Sequence, residues 1–194
     1  MFISVEQMNK RIDLARDIES VMLYLFAYWI LKAESDIDLS EEEIKDKVKK
    51  ELTSVVAKHT ILDSYLEEHI AAVIDEVWNT MDEHISEIKE DGEDAENSYW
   101  TSHDRAQLIA ENEANSYYNY TEYLDAKSEG KRTKTWHTEL DDKVRMTHTL
   151  VEGKTIDIDG LFLVGESKMR FPMDTKYGAK PQETINCRCS CKYE

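Results

Sequence analysis

The chain has 194 residues, of which 41% are hydrophobic and 34% charged, enough for one or two soluble domains with a sizeable core. Its formal net charge of −17 is unevenly spread, because residues 1–130 carry 12 Lys and Arg against 31 Asp and Glu, whereas residues 131–194 carry 12 against 10. An acidic first part repels phosphate groups, so we expect no tight intrinsic binding of DNA.

The first predicted element is a helix over residues 4–33, a stretch with neither Gly nor Pro and with apolar side chains three or four residues apart. It contains the most apolar run of the chain, residues 21–31, which is shorter than the about twenty residues needed to cross a bilayer. The charged residues before this run are unlike those of a signal peptide. We therefore expect a buried helix and no membrane association, with docking on a partner chain as the alternative.

Three more helices are predicted before residue 130. Ser40 and the three glutamates that follow it form a capping box, which starts a second helix that ends near His59. A third helix covers residues 63–88 and is closed by the Asp-Gly pair at 91–92. A fourth covers residues 98–124. Helices in this order with short links indicate an antiparallel bundle.

The composition changes at Gly130, since both prolines and five of the six glycines lie at or beyond this residue. A short strand is predicted at residues 133–138, a short helix at 140–151, hairpin elements between 154 and 170, and a final strand at 185–193. We therefore predict an α+β protein. A helical bundle-like domain (residues 1–130) precedes a small α+β module (residues 131–194) with a short antiparallel sheet.

The module carries an ordered series of residues with the pattern W-x5-D-x2-R-x2-H-x4-G, then a phenylalanine, P-x-D and E-x-x-N-C-R-C. Its members are Trp136, Asp142, Arg145, His148, Gly153, Phe162, Pro172, Asp174, Glu183, Asn186, Cys187, Arg188 and Cys189. This order resembles the C-terminal module of the phage Mu F-like family of head-morphogenesis (minor head) proteins, and N-C-R-C is its most specific part. Residues 109–119 also resemble the helix before that module, although residues 111–113 lack the arginine of the family's common Arg-Thr-Glu triplet.

The resemblance implies a minor structural protein of a tailed-phage head, made in the bacterial cytoplasm and located at the portal vertex or head interior of the virion. Its expected partners are portal and capsid proteins, and no catalysis or cofactor is expected. The alternative is a small phage enzyme or toxin-related module, of RNase-like or ADP-ribosyl-transfer type, that uses Arg145, His148 and Arg188. Against it, the sequence has no Gly-rich phosphate loop and no recognised nucleophile–base pair.

The residue spacing suggests a physical role for the motif. Asp142, Arg145 and His148 lie three residues apart and would share one helical face, where Asp142 can pair with Arg145. Glu183, Asn186 and Arg188 would then bring the last strand onto this helix, and His148 would donate to a carboxylate or a backbone carbonyl of that strand. We expect Trp136 to anchor the core, and the polar residues to form a network that stabilises the module. A catalytic set and a ligand site are the alternatives.

All three cysteines lie close together, at Cys187, Cys189 and Cys191, so no disulfide framework staples the chain and a reducing site of synthesis fits. On a strand their side chains would point to one face. Our primary interpretation is that they are buried apolar thiols and that the chain has no metal site. The alternative is a metal site formed by the three cysteines with His148, or with His137 in its place, although the paired C-x2-C spacing of zinc sites is missing.

Overall fold

The computed structural model describes residues 4–34, 40–84 and 98–194. In chain order the elements are helices α1 (Val5–Glu34), α2 (Glu41–Ala57), α3 (Ser64–Glu83) and α4 (His103–Ser128), strand β1 (Thr133–His137), short helix α5 (Met146–Thr149), strands β2 (Thr155–Asp157), β3 (Phe162–Val164) and β4 (Ser167–Met169), short helix α6 (Pro181–Thr184) and strand β5 (Ser190–Tyr193). Of the residues that the structure describes, 60% are helical, and they also form small antiparallel sheets, which confirms the predicted α+β class.

The chain divides into two compact units, one of residues 12–111 and one that joins residues 1–11 to residues 112–194. We call them the helical unit and the motif unit. The second half of α4 and the first turns of α1 therefore belong to the motif unit. The predicted boundary near residue 130, between a helical domain and an α+β module, stays a prediction.

The helical unit contains most of α1, all of α2 and α3, and the start of α4. The first three helices form its core, as their apolar spacing predicts. Ser40 caps α2 through its side chain and Asp63 caps α3 in the same way. Side chains from all three helices are almost completely buried: Ile18, Met22, Leu25, Trp29, Val48, Leu52, Val56, Ile70, Ile74, Trp78 and Met81. The Trp29 indole donates to Asp82 at 2.7 Å. None of the described helices is long and apolar enough to span a membrane.

The helix boundaries follow the sequence closely except around α4. Helix α1 agrees with its prediction within one residue at each end. The end of the third predicted helix and its Asp-Gly break lie outside the described residues. Helix α4 starts later than predicted, after a 3₁₀ turn at Tyr99–Thr101, and it continues to Ser128.

The helix predicted over residues 140–151 is wrong in length, because only Met146–Thr149 is helical. Leu140 has a positive φ of 56°, a left-handed conformation that an α-helix cannot contain. The Asp141 carboxylate accepts from the Lys143 amide, a local turn that competes with helix. The predicted last strand is likewise shorter. It begins at Ser190, after α6 and after Asn186, which also has a positive φ of 57°.

The two sheets are small and antiparallel. Strand β1 lies between β2 and β5, with Lys134 opposite Ile156 on one side and Tyr193 on the other. Strands β3 and β4 form a separate hairpin around Gly165, whose φ of +58° favours glycine. A Cβ at Gly165 would also lie 2.5 Å from Glu183 Oε1, so the Glu183 carboxylate would have to move.

The core of the motif unit surrounds Trp136, as predicted. It contains Trp136, Val151, Phe162, Val164, Met169, Met173, Cys187 and Cys189, all buried. The Trp136 ring meets Phe162 edge to face at 5.2 Å and His148 at 5.8 Å. Both sheets, α5 and the cysteine segment thus share one apolar cluster.

A buried lysine lies beside this cluster. The Lys134 side chain is fully buried and its ammonium donates to the carbonyls of Ile158 and Gly160 at 2.6 and 2.7 Å. Burial lowers its pKa to about 8, so the group remains mostly charged at neutral pH. The lysine thereby holds the loop before β3 against β1.

Replacing Lys134 with methionine is expected to lower the free energy of unfolding by about 1–3 kcal/mol, because two buried carbonyls lose their donor. Chemical denaturation of the full chain would measure the loss. Lys192→Met in the neighbouring strand is the control, since its side chain is 61% exposed and should change little. An unchanged midpoint for Lys134→Met would show that Ile158 and Gly160 find other donors.

Candidate functional site

The motif residues converge on His148, the one histidine of α5. Its side chain is 1% exposed, and both ring nitrogens have partners. Nε2 lies 3.0 Å from Glu183 Oε2, while Nδ1 faces two sulfur atoms, Cys189 Sγ at 3.3 Å and Cys187 Sγ at 3.7 Å. Thr147 donates to the same Glu183 oxygen at 2.7 Å. The sequence predicted a carboxylate or a backbone carbonyl as the partner of His148, and the carboxylate is the one found.

The buried thiols and His148 shift each other's protonation. The pKa of Cys187 falls to about 5, chiefly because Cys189 donates a hydrogen bond to it; burial opposes this shift and His148 supports it. The same pairing, together with burial, raises the pKa of Cys189 well above its ordinary range. Burial lowers the pKa of His148, but Cys187 and then Glu183 outweigh it, so the net pKa is raised. Of the two paired thiols, Cys187 therefore loses its proton more readily, and it lies beside an imidazole whose pKa is raised.

Cys191 does not join this cluster. Cys191 lies on β5 and is half-buried. Its thiol group is shielded from water, and this burial raises the pKa of the thiol to about 12. The three cysteines do not lie on one strand, because residues 187–189 precede β5 and only Cys191 belongs to it. Of the residues in the predicted metal alternative, the structure groups His148, Cys187 and Cys189, whose ligand atoms lie within 4.8 Å of one another.

The ion pair expected between Asp142 and Arg145 is replaced by other contacts. Asp142 is exposed in the turn before α5, and Arg145 is the residue that precedes that helix. Arg145 donates instead to the Ile185 carbonyl. The arginine that has an acidic partner is Arg188, whose guanidinium donates two hydrogen bonds to Asp141 at 2.7 and 2.8 Å. Both links still join the α5 region to the C-terminal segment, as predicted, but through different atoms.

Asn186 contributes its backbone rather than its side chain. Its amide donates to Asn112 Oδ1 at 2.7 Å, and its left-handed φ is one that asparagine tolerates better than most residues. Asn112 belongs to the helical stretch of residues 109–119 that the sequence singled out. Helix α4 and the N-C-R-C segment are therefore in direct contact.

A second polar centre lies at Asp174, the aspartate of the P-x-D pattern. Its carboxylate is fully buried and receives Arg170 Nε at 2.7 Å and Nη2 at 3.0 Å, as well as the Arg170 amide at 3.0 Å. The guanidinium carbon also lies within 5.1–5.9 Å of the ring centres of Tyr120, Tyr123, Phe171 and Tyr177. Arg170 is not among the residues predicted from the sequence. Its four-residue distance from Asp174, in an aromatic stretch, was the available signal.

Asn119 was also missed, although it connects three parts of the motif unit. Its Nδ2 donates to the carbonyls of Pro172 at 3.2 Å and Cys189 at 3.4 Å. Its Oδ1 accepts from Arg11 at 3.3 Å. Asn119 is 1% exposed, so all of these bonds are shielded from water. A single asparagine in a helix gives no sequence signal for such a role.

The space beside His148 is small. The cavity lined by Arg145, His148, Cys187 and Arg188 measures about 10 Å³, whereas small-molecule sites usually measure about 300–1,000 Å³. A groove of about 600 Å³ in the same unit is lined by other residues, among them Glu122 and Lys192. The larger groove, which could hold a small molecule, is thus not lined by the polar residues around His148.

Most of the chain is similar to one known protein family. A family model described as "Phage Mu protein F like protein" matches residues 41–192, well beyond the stretch that carries the motif. No curated protein and no solved structure matches the chain.

Proposed function

Because the chain belongs to the phage Mu F-like family, we propose that it is a minor structural protein of a tailed-phage head. The family connects the chain with bacteriophages and head morphogenesis. In the proposed role it associates with portal or capsid proteins at the portal vertex or in the head interior. It serves head assembly or DNA delivery and does not hold DNA tightly by itself.

The observation that best supports a structural role is that the polar motif residues bind one another. His148 uses both ring nitrogens on Glu183 and the thiols, Arg145 bonds to Ile185, and Arg188 pairs with Asp141. Catalytic groups must instead face a substrate within hydrogen-bond distance. The ≈ 10 Å³ cavity beside them has room for about one water molecule. The enzyme alternative would therefore require the very groups that join the segments of this unit.

A phage that encodes the chain allows a direct test of this proposal. We expect the protein in purified heads by quantitative mass spectrometry, and we expect deletion of its gene to reduce the titre of infectious particles. Electron microscopy then separates two roles: malformed heads indicate assembly, and filled heads that do not infect indicate DNA delivery. Absence of the protein from heads, combined with a normal titre after deletion, would contradict the proposal.

The structural and catalytic hypotheses also differ in what alanine substitutions do. His148→Ala is expected to lower the free energy of unfolding by about 1–3 kcal/mol, because Glu183 and the two thiols lose the buried imidazole that lies between them. Arg145→Ala should lower it by less, because water can replace the guanidinium at the exposed Ile185 carbonyl. Thermal melting of the full chain measures the effect. Lys143→Ala, an exposed position in the same loop, is the matched control and should melt like the wild type.

If both variants instead keep the wild-type melting curve, the network does not stabilise the unit. Catalytic groups are often neutral or costly for stability, so this result would favour the enzyme alternative. In that case head assembly should remain normal in complementation while an activity is lost.

A further inference from the structure

We propose that His148, Cys187 and Cys189 bind a zinc ion through one imidazole nitrogen and two thiolates. All three residues are buried, and their nitrogen and sulfur atoms lie within 4.8 Å of one another. Imidazole and thiolate are the ligands that zinc prefers, whereas magnesium and calcium take oxygen ligands. The donor set therefore selects a zinc-type ion.

The distances agree with tetrahedral coordination. Zinc bonds of about 2.0–2.1 Å to nitrogen and about 2.3 Å to sulfur, at a tetrahedral angle, separate a nitrogen from a sulfur by about 3.5 Å. His148 Nδ1 lies 3.3 Å from Cys189 Sγ and 3.7 Å from Cys187 Sγ. The three donor atoms need only small shifts to surround one ion.

Glu183 supplies the support that zinc-binding histidines usually have. Its carboxylate accepts from Nε2 of His148 at 3.0 Å, on the side of the ring away from the sulfur atoms. A carboxylate there fixes the tautomer with the proton on Nε2, which leaves the Nδ1 lone pair directed at the two thiols. Thr147 orients the same carboxylate oxygen. Thr147, Glu183, His148 and the two cysteines are thus connected by consecutive hydrogen bonds.

The fourth ligand is assigned to water. The cavity bounded by His148, Cys187 and Cys189 measures about 10 Å³, about the space that one water molecule occupies. Three protein ligands with one water is the arrangement found in catalytic zinc sites, whereas structural zinc sites usually have four protein ligands. A bound ion would join α5 to the segment between α6 and β5, and should therefore stabilise the folded chain.

The full chain, purified without added chelator, is expected to carry about one zinc per molecule by elemental analysis. Removal of the ion with a chelator should lower the melting temperature, and one equivalent of zinc should restore it. Cobalt(II) in place of zinc should give sulfur-to-metal charge-transfer absorption with tetrahedral d–d bands. Magnesium should restore nothing. These measurements use the wild-type chain, so they hold even if a variant fails to fold.

Variants then assign the ligands. Cys187→Ser and Cys189→Ser should lose the sulfur-to-cobalt absorption and the bound zinc, whereas Cys191→Ser, the matched control, should keep both. Glu183→Gln should bind zinc about 10–100-fold more weakly, because its effect is indirect.

Two outcomes would overturn the proposal. One is a wild-type chain with no zinc above background and no change in melting temperature on zinc addition; the contacts would then be ordinary thiol–imidazole hydrogen bonds. The other is a loss of metal in Cys191→Ser as large as in Cys189→Ser. Neither outcome bears on the role in phage heads, which the titre and the composition of heads test separately.

Discussion

Asp174→Ala is expected to destabilise the chain by about 3–5 kcal/mol, the cost of removing one partner from a buried ion pair. The carboxylate is fully buried and receives three hydrogen bonds from Arg170. Without it, the Arg170 charge remains among aromatic rings with its strongest acceptor gone. Chemical denaturation would measure the loss, and complementation of a deleted phage should show a matching fall in titre.

The control for this prediction is an exposed ion pair in the same unit. Glu166 pairs with Lys180, but its side chain is 80% exposed and the pair is screened by water, so Glu166→Ala should change the stability little. The double variant Arg170→Met with Asp174→Leu should recover part of the stability lost in Asp174→Ala, because it leaves no buried charge. Equal stability of Asp174→Ala and Glu166→Ala would disprove the importance of the buried pair.

Trp136→Ala should cost a similar amount, about 3–5 kcal/mol, for an apolar reason. Trp136 is fully buried at the centre of its cluster and contacts the rings of Phe162 and His148. Its removal leaves a cavity between the two sheets and α5 that these elements cannot all close. Thermal melting and the yield of folded protein would show the effect.

Leu163→Ala is the matched control, because Leu163 lies next to Phe162 on β3 but points outward and is 54% exposed. It should change the stability by no more than about 0.5 kcal/mol. Trp136→Phe should fall between the two, since it keeps an aromatic ring and loses part of the volume. A melting curve for Trp136→Ala that resembles that of Leu163→Ala would contradict its assignment as the core anchor.

The helices and the first strand could be predicted because their signals are local. Ser40 and Asp63 cap the helices that their sequence contexts indicate, and β1 ends one residue before its predicted boundary. The helix over residues 140–151 could not be predicted correctly, since a left-handed backbone at Leu140 prevents a helix there. The sequence pattern alone does not report such a conformation for a leucine.

The candidate site was predicted in its members but not in all of its pairings. His148, Glu183, Cys187 and Cys189 do meet, because a family motif marked both ends of the contact. It is Asp141 and not Asp142 that pairs with an arginine, Arg188, and this depends on the turn that contains both aspartates. Nothing in the sequence distinguishes two adjacent aspartates in this respect.

Other contributions were missed for a different reason. Lys134, Asn119 and Arg170 are polar residues whose importance comes from burial and from partners that lie elsewhere in the chain or in a loop. Neither condition leaves a periodic pattern. Residue spacing therefore predicts the buried and exposed faces of helices and strands better than it predicts single buried polar residues.

The bonds of Asn119 have a consequence for the order in which the chain folds. Its partner Arg11 precedes it by 108 residues, and its partner Cys189 follows it by 70. At a synthesis rate of roughly 5–20 residues per second, Arg11 waits on the order of 5–20 s for Asn119 to emerge from the ribosome. Contacts between residues so distant in the chain also form slowly. The contiguous helical unit can therefore fold while translation continues, whereas the motif unit completes its fold only after its last strand has been made.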